Sequence, residues 1–485
     1  MTDLSIISEV NEFKRREIDI VSINKKLIVK KNENNTIVED YSFLNIAISI
    51  SKQMVALMLN MMISSIRFLL LFIFSRNKGV DFLMGVSSVI PLYSIFSGSV
   101  PWATTQYMGY RVSFYFGKKE PRNLGLVVNK ALLYNLTFSV FLTFIFFFIV
   151  PPIFASFFNS QETIDAIYNI SRIMSIALPF QYLQFIMVNY FLSIKQLAHL
   201  LFSQLTALPI QLILQCIIIL GFNNHIVGVG ISFALAQLSV VTYNFYFFFY
   251  DNKYKESIIK FKIAETLDGF LDYVSKSIPV GSIVFLNLIS IELLQFLSVI
   301  DGEYTFTAYS ILINFFSLLQ SFNKALSAAN NMEINRNLGQ NNYQYYKRII
   351  YASLLMTTIY SLTMSILIEI TLVNIMTLYT YDEEILNIID YLRTLFVFMF
   401  LTNSYIFILS ESLTCFGNSY IPFLNLIIFR FIGTSLLSFI FYKLEVGLIS
   451  FMLSFVINNI FIILVNAYFL NKTVDEVVEK SKNNK

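Results

Sequence analysis

The chain has little of what a water-soluble protein of its length requires. Only 13% of its 485 residues are charged, where soluble domains carry about 25%. Cysteine is reduced to Cys216 and Cys415, histidine to His199 and His225, and there is one tryptophan. Two cysteines in apolar stretches cannot build a disulfide framework and read as small buried hydrophobes. Two histidines in turn-like segments fall short of the three or four convergent ligands that a metal or catalytic site uses, so no metal, cofactor or enzymatic activity is expected. A net charge of +3 supplies no basic field for nucleic acid.

What is present is apolar. Hydrophobic residues make up 56% and aromatic residues 16% of the sequence, with a mean hydropathy of +0.65. A helix that crosses a bilayer takes about 20 mainly apolar residues. Runs of that kind span 46–74, 82–110, 126–150, 163–194, 198–220, 226–250, 277–300, 304–329, 348–376, 385–415, 420–441 and 446–470. The fold class is therefore an all-α integral membrane protein with twelve transmembrane helices. Residues 1–43 hold seven Lys/Arg and eight Asp/Glu and no apolar core of signal-peptide length, which predicts a polar tail. The same reading gives an N-lobe over 44–250, a linker over 251–276, a C-lobe over 277–470 and a C-terminal tail over 471–485.

Basic residues mark the cytoplasmic loops. Arg111, Lys118, Lys119 and Arg122 flank the second loop, Lys253, Lys255, Lys260, Lys262 and Lys276 the sixth, and Arg336, Lys347 and Arg348 the eighth. Loops three, five, seven and nine have none, and the first, with Arg76 and Lys78, is the exception. Both termini are expected in the cytoplasm, with the protein in a plasma or organelle membrane. Sliding the chain against itself by 221 residues sets Phe157-Phe158-Asn159-Ser160 over Leu378-Tyr379-Thr380-Tyr381, Ile164 over Ile385, Ile167 over Ile388 and Arg172 over Arg393. Gly117 and Gly339 correspond at nearly the same offset. Six helices are repeated in parallel, an arrangement that encloses a central cleft and suits alternating access.

The segment Ile278-Pro279-Val280-Gly281 through Asn287 to Glu292 resembles the seventh helix of the multidrug and toxic compound extrusion (MATE) family, where the eukaryotic pattern is I-P-[AS]-x(5)-E-W-W-x-[FY]-E. Leu338-Gly339 is similar to the family's N-x-L-G-A-G, Ser410 to Gly417 to its S-G-V-L-R-G-x-G, and Val227-Gly228-Val229-Gly230-Ile231-Ser232 and Leu444 to Leu448 to its paired G-V-x-G turns. The resemblance spans about residues 44–470. It implies a secondary antiporter that expels organic cations, drugs or metabolites against proton or sodium flow. It also places Glu292 on the family's second helix-seven glutamate, associated with substrate and proton binding, and replaces the first by Asn287. The helix-ten acidic position holds Asn403, with Glu411 two turns further on, and the helix-one aspartate of bacterial members is Arg67.

A charge near the bilayer centre costs about 2.5 to 3.5 kcal/mol on insertion scales, so each one marks a function or a partner. Glu292 is the leading candidate to exchange a proton for a solute. Arg67 and Arg430 lie deep in helices one and eleven; they either face the cleft, which would favour an anionic solute, or pair with Glu292 as a structural lock. Lys52, Lys324 and Glu411 sit nearer helix ends, where snorkelling accounts for them, although Glu411 is also a candidate cleft residue. Gln181, Tyr182, Gln184 and Asn189 of helix four and Tyr309, Asn314 and Gln320 of helix eight either line the cavity or bond helix to helix.

The expectation is an antiporter that exports small organic solutes in exchange for H+, with Glu292 and Asn287 coupling and Arg67, Asn403, Glu411, Arg430, Gln184 and Tyr309 as possible cleft lining. Sodium is the weaker candidate ion, because several oxygen ligands with net negative charge are needed to hold it. Partners are the solute, the ion and the bilayer, with the protein acting as a monomer. The alternatives are a flippase for lipid-linked oligosaccharide, and then a channel or non-transporting scaffold, for which no charged ring or carbonyl filter is evident.

Overall fold

In the computed structural model, residues 29–31, 37–39, 43–75, 78–156, 158, 160–222, 225–250, 263–340 and 345–483 are described, apart from the side chains of some helical residues, Glu292 among them. Residues 1–49 and 50–485 are two separate compact units. The first holds the antiparallel ribbon of β1 (Val29–Lys31) and β2 (Ile37–Glu39), with Val29 opposite Glu39. Otherwise the expected tail lies outside the described residues as far as 42, as does the first part of the expected linker, 251–262; the rest of the linker is a short helix, Ile263–Leu267, and the start of the next long helix at Phe270.

Among the described residues twelve long helices follow. They are α1 (Phe43–Ser75), α2 (Val80–Ser94, a π turn Ile95–Ser99 and Val100–Lys118), α3 (Pro121–Phe144, a π turn Ile145–Ile149 and Val150–Ala155) and α4 (Gln161–Ser175 and Leu178–Ser193). Next come α5 (Ala198–Gln215 with a π turn Cys216–Gly221), α6 (His225–Tyr250), α7 (Phe270–Leu297) and α8 (Glu303–Leu319 and Ser321–Gly339). The last are α9 (Tyr346–Met376), α10 (Glu383–Cys415), α11 (Tyr420–Asn425, a π turn Leu426–Gly433 and Thr434–Lys443) and α12 (Ser450–Asn483). Among the described residues ten are long and apolar enough to cross a membrane. The other two, α4 and α8, are broken midway. Pro179 opens the second half of α4, where its missing N–H costs nothing. The second half of α8 carries five asparagines, Asn323, Asn330, Asn331, Asn335 and Asn337, and lies against other helices instead of lipid.

The helices are inside-out compared with a soluble bundle. On α9, Ser353, Thr357, Ser361 and Ser365 recur every fourth residue and all are buried, while Ile359, Ile366 and Ile370 are exposed. Every fourth residue falls on one helix face, so the polar stripe faces protein and the apolar stripe faces outward, as lipid demands. The same solvent explains a correction: Cys216, expected to be buried, is exposed on its π turn. His199 and His225 begin helices and do not sit in turns, and His199 stacks on Phe247 with centroids 4.5 Å apart. The expected tail from 471 is the end of α12, held where Asp475 meets Lys347 at 2.5 Å and Thr473 accepts from Asn418 at 2.7 Å.

Helices α1–α6 and α7–α12 form two lobes, and α2, the second helix of the first, packs against α7 and α8 of the second to make the seam. At one end of the seam Gly117 and Gly339 bring the two backbones together. A Cβ on Gly117 would stand 2.5 Å from the Arg336 carbonyl oxygen, and one on Gly339 would strike the Phe114 carbonyl. The two glycines paired by the sequence repeat thus face each other across the lobes.

Candidate functional site

Between the lobes lies a cavity of about 150 Å³. Its N-lobe wall comes from α1, α2 and α4, and its C-lobe wall from α7, α8 and α10. The walls follow from helical spacing. Asn60 and Ser64 on α1, Ser94 and Gly98 on α2, and Ser317, Ser321 and Lys324 on α8 recur at three or four residues, so each set shares one helix face. The α2 face includes the π turn, a distortion that often accompanies functional sites. Trp102, Phe185 and Phe407 add flat apolar surface, with Trp102 edge-on to Phe185 at 5.7 Å.

Contacts between the lobes close the seam at both ends of the cavity. At the end nearer Gly339, the Tyr110 hydroxyl accepts from Asn331 Nδ2 at 3.3 Å and Ser113 Oγ meets Met332 Sδ at 3.1 Å. Glu333 there accepts from Gln53 Nε2 of α1 at 3.2 Å and pairs with Lys195 at 3.2 Å and with Arg336. Arg336 also donates to the Ser193 carbonyl at 3.0 Å. Burial alone would raise the carboxyl of Glu333, which lies beyond the apolar run of α8, but Arg336, Lys195 and the Gln53 bond together hold it below the ordinary carboxylate value. At the other end the contacts are mostly apolar: Phe158 on Phe306 at 5.9 Å, Phe72 on Tyr379 at 5.7 Å, and one bond from Ser310 Oγ to the Ser87 carbonyl at 2.8 Å.

Glu411 of α10 lines the cavity and is 4% exposed. Its carboxylate accepts from Ser327 Oγ at 2.9 Å and from Asn331 Nδ2 at 2.6 Å, and no Lys or Arg pairs with it among the described residues. Snorkelling, expected for both Glu411 and Lys324, does not describe them: both line the cavity. The helix asparagines and serines beside Glu411 let a carboxyl sit this deep, because each supplies a neutral N–H or O–H to an acid that is otherwise costly to bury.

Of the other residues singled out from sequence, Gln184 lines the cavity, as do Gln181 and Asn314. Arg67, Arg430, Asn403, Tyr309 and Asn287 are buried and are not among its lining residues. Arg67 donates through Nε to Gln211 at 2.8 Å and through Nη1 to Gln204 at 3.2 Å and Gln237 at 3.1 Å, and lies 5.0 Å from the Phe233 ring centre. Arg430 donates to Ser290 Oγ at 3.1 Å and to Asn403 Oδ1 at 2.6 Å, 4.0 Å from the Phe455 ring centre. These neutral acceptors, and no carboxylate among the described residues, hold both guanidinium groups. Asn287 Oδ1 is buried without a hydrogen-bond partner among the described residues, and Tyr309 packs edge-on to Phe451 at 6.5 Å. Glu292 is in α7, but its side chain lies outside the described residues. Sequence reasoning passed over Trp102 and the small polar residues of α1, α2 and α8; their helix-spaced Ser, Asn and Gly inside apolar runs were the available signal.

The family model described as MatE matches residues 56–217 and again residues 280–442. The chain belongs to the MatE family. Each lobe is read by the same model, which agrees with the internal repeat. Among solved structures, the fold is similar to that of a eukaryotic MATE transporter, AtDTX14, with TM-score 0.82 and 16% identity over 90% of this chain and 99% of that one. It is also similar to a multidrug resistance MATE family transporter of the MOP superfamily in an outward-facing conformation, with TM-score 0.79 and 13% identity over 89% and 96%. A MOP superfamily transporter from Pyrococcus furiosus, described as having a binding pocket of reverse polarity, gives TM-score 0.78 and 14% identity over 89% and 96%. No curated protein matches the chain. As a MatE protein with this fold it is a multi-pass membrane transporter of small solutes, with twelve helices in two lobes.

Proposed function

We propose that this MatE protein exports small organic solutes in exchange for protons, exposing the interlobe cavity alternately to the two sides of the membrane, with Glu411 as the exchanging group. The observation that carries this reading is a buried carboxylate in the cavity wall held only by neutral donors, Ser327 and Asn331. When Glu411 is ionised, it attracts the cationic part of a solute, and when it takes a proton that attraction ends, so proton and solute occupy the site in turn. The groups that face it are Tyr110 from α2, through the shared Asn331 amide, Cys415 one turn on in α10, and Lys324 from α8 in the same cavity. Because Asn331 also donates to Tyr110 of the other lobe, a change in Glu411 acts directly on the seam.

In this reading α1–α6 move against α7–α12 as rigid lobes, 44–250 and 277–470, joined by 251–276. The basic loops, with both chain termini, face the cytoplasm by charge bias. The test is efflux of a fluorescent organic cation from liposomes under an imposed pH gradient. Wild type should show gradient-driven flux and Glu411→Gln should lose it. Glu292→Gln, the variant that the family resemblance singles out, serves as comparison. Full coupling in Glu411→Gln together with its loss in Glu292→Gln would move the exchange to α7.

A further inference from the structure

The N-lobe wall of the cavity is connected to a buried charge. Arg67 Nη1 donates to Gln237 Oε1 at 3.1 Å, Gln237 Nε2 donates to Gln184 Oε1, and Gln184 lines the cavity. The orientation of this chain is fixed by chemistry. A guanidinium has donors and no acceptor, so the Gln237 oxygen must face Arg67, its amide N–H must face Gln184, and the Gln184 oxygen must face Gln237. What remains of Gln184 for the cavity is its N–H. Hydrogen bonds in series polarise one another, most in a low-dielectric interior, so the Arg67 charge makes the N–H that Gln184 presents a stronger donor.

Nothing in the lobe cancels that charge. Four Asp or Glu residues occur between 43 and 250, and each is engaged near a helix end: Asp81 accepts from Ser160, Glu120 from Asn123, Asp165 from Gln161, and Glu162 pairs with Lys78. The cavity thus has a positively biased donor on its N-lobe wall, with the carboxyl of Glu411 and the ammonium of Lys324 on its C-lobe wall.

We infer that the solute is zwitterionic: its anionic group, a carboxylate or sulfonate, docks on the Gln184 amide, and its cationic group goes to Glu411. This rests on the exchange role proposed for Glu411 and adds the second charge. A plain organic cation would leave the Gln184 donor facing a group that cannot accept from it, at the cost that attends an unpaired buried donor.

Trp102, the sole tryptophan, lines the cavity, so binding can be read from quenching of its emission in the full chain in nanodiscs, independently of transport. Rhodamine 110, a zwitterion with a free benzoate, and rhodamine 123, its methyl ester and a cation, share one body and differ at the group that matters. Wild type should bind rhodamine 110 at least tenfold more tightly. Gln237→Glu keeps the volume and still accepts from Arg67, but its carboxylate also draws the Gln184 N–H inward and turns the Gln184 oxygen to the cavity. The preference should fall to about one or invert. Gln184→Leu, which removes the donor outright, should abolish the preference as well. Equal affinity for the two dyes in wild type, no quenching by either, or a preference that persists in both variants would overturn the inference. The flux assay on Glu411→Gln reports separately on the antiport reading.

Discussion

The two lobes are versions of one six-helix unit, and their interiors have diverged at matching positions. Phe233 and Phe455, 222 residues apart, each lie under a buried guanidinium, but Arg67 reaches Phe233 from α1 and Arg430 reaches Phe455 from α11. At the same offset Asn189 of α4 corresponds to Glu411 of α10. Asn189 donates to Thr105 Oγ1 at 2.9 Å, while Glu411 accepts from Ser327 and Asn331. One lobe keeps a neutral amide where the other holds an acid. The difference teaches that the duplication supplies a symmetric frame, in which each lobe buries one guanidinium and the C-lobe holds a carboxyl where the N-lobe holds an amide.

The sharpest way to break this comparison is to remove the two matching side chains. Glu411→Ala should lower gradient-driven flux at least tenfold, and Asn189→Ala by less than twofold, measured in the same liposomes. Next in size is the loss of the buried cations. Arg67→Met leaves three glutamine oxygens, of Gln204, Gln211 and Gln237, without their donor, whereas Arg430→Met leaves two, of Ser290 and Asn403. At about 1–3 kcal/mol for each buried group left unsatisfied, Arg67→Met should lower the thermal unfolding midpoint in detergent further than Arg430→Met does.

A smaller effect is expected at the seam. Gly339→Val puts a side chain where the Phe114 carbonyl lies and should cost about 1–3 kcal/mol as overpacking, visible as faster hydrogen exchange in the facing segments of α2 and α8. The smallest concerns Glu333, whose carboxyl is held below its ordinary value. A depressed folded value means that its contribution is complete above the unfolded value and is lost as pH falls through the folded one. Glu333→Gln should therefore speed exchange in the second half of α8 at neutral pH, with the variant and wild type converging in acid.

Much of the fold was legible in the sequence because lipid leaves few choices. Apolar runs such as 348–376 and 385–415 coincide with α9 and α10 to within two residues, and the repeat pairs Gly117 with Gly339, although both lie inside helix ends and meet across the lobes, which the repeat alone does not predict. The run at 304–329 fell short of α8 because hydropathy ends where Asn330, Asn331, Asn335 and Asn337 begin, and those residues bond inside the protein instead of marking a loop. The site was legible only in part. Hydropathy measures depth along a helix but not direction around it: Arg67 and Arg430 are as deep as expected, yet they point into their own lobes. The distance of Glu411 from the helix centre leaves snorkelling and cleft lining both open, and it is the break in α8 with its polar second half that forms a cavity wall at that level. The relay from Arg67 to Gln184 joins α1, α6 and α4, and no spacing within one helix reveals a bond across three.

In the proposed exchange, proton and solute take turns at Glu411. Adding a transported zwitterion to the purified full chain in weakly buffered detergent, with a pH dye as reporter, counts the protons released on binding. About one proton per bound solute is expected from wild type and none from Glu411→Gln. Binding without proton release in wild type, or undiminished release from Glu411→Gln, would contradict it.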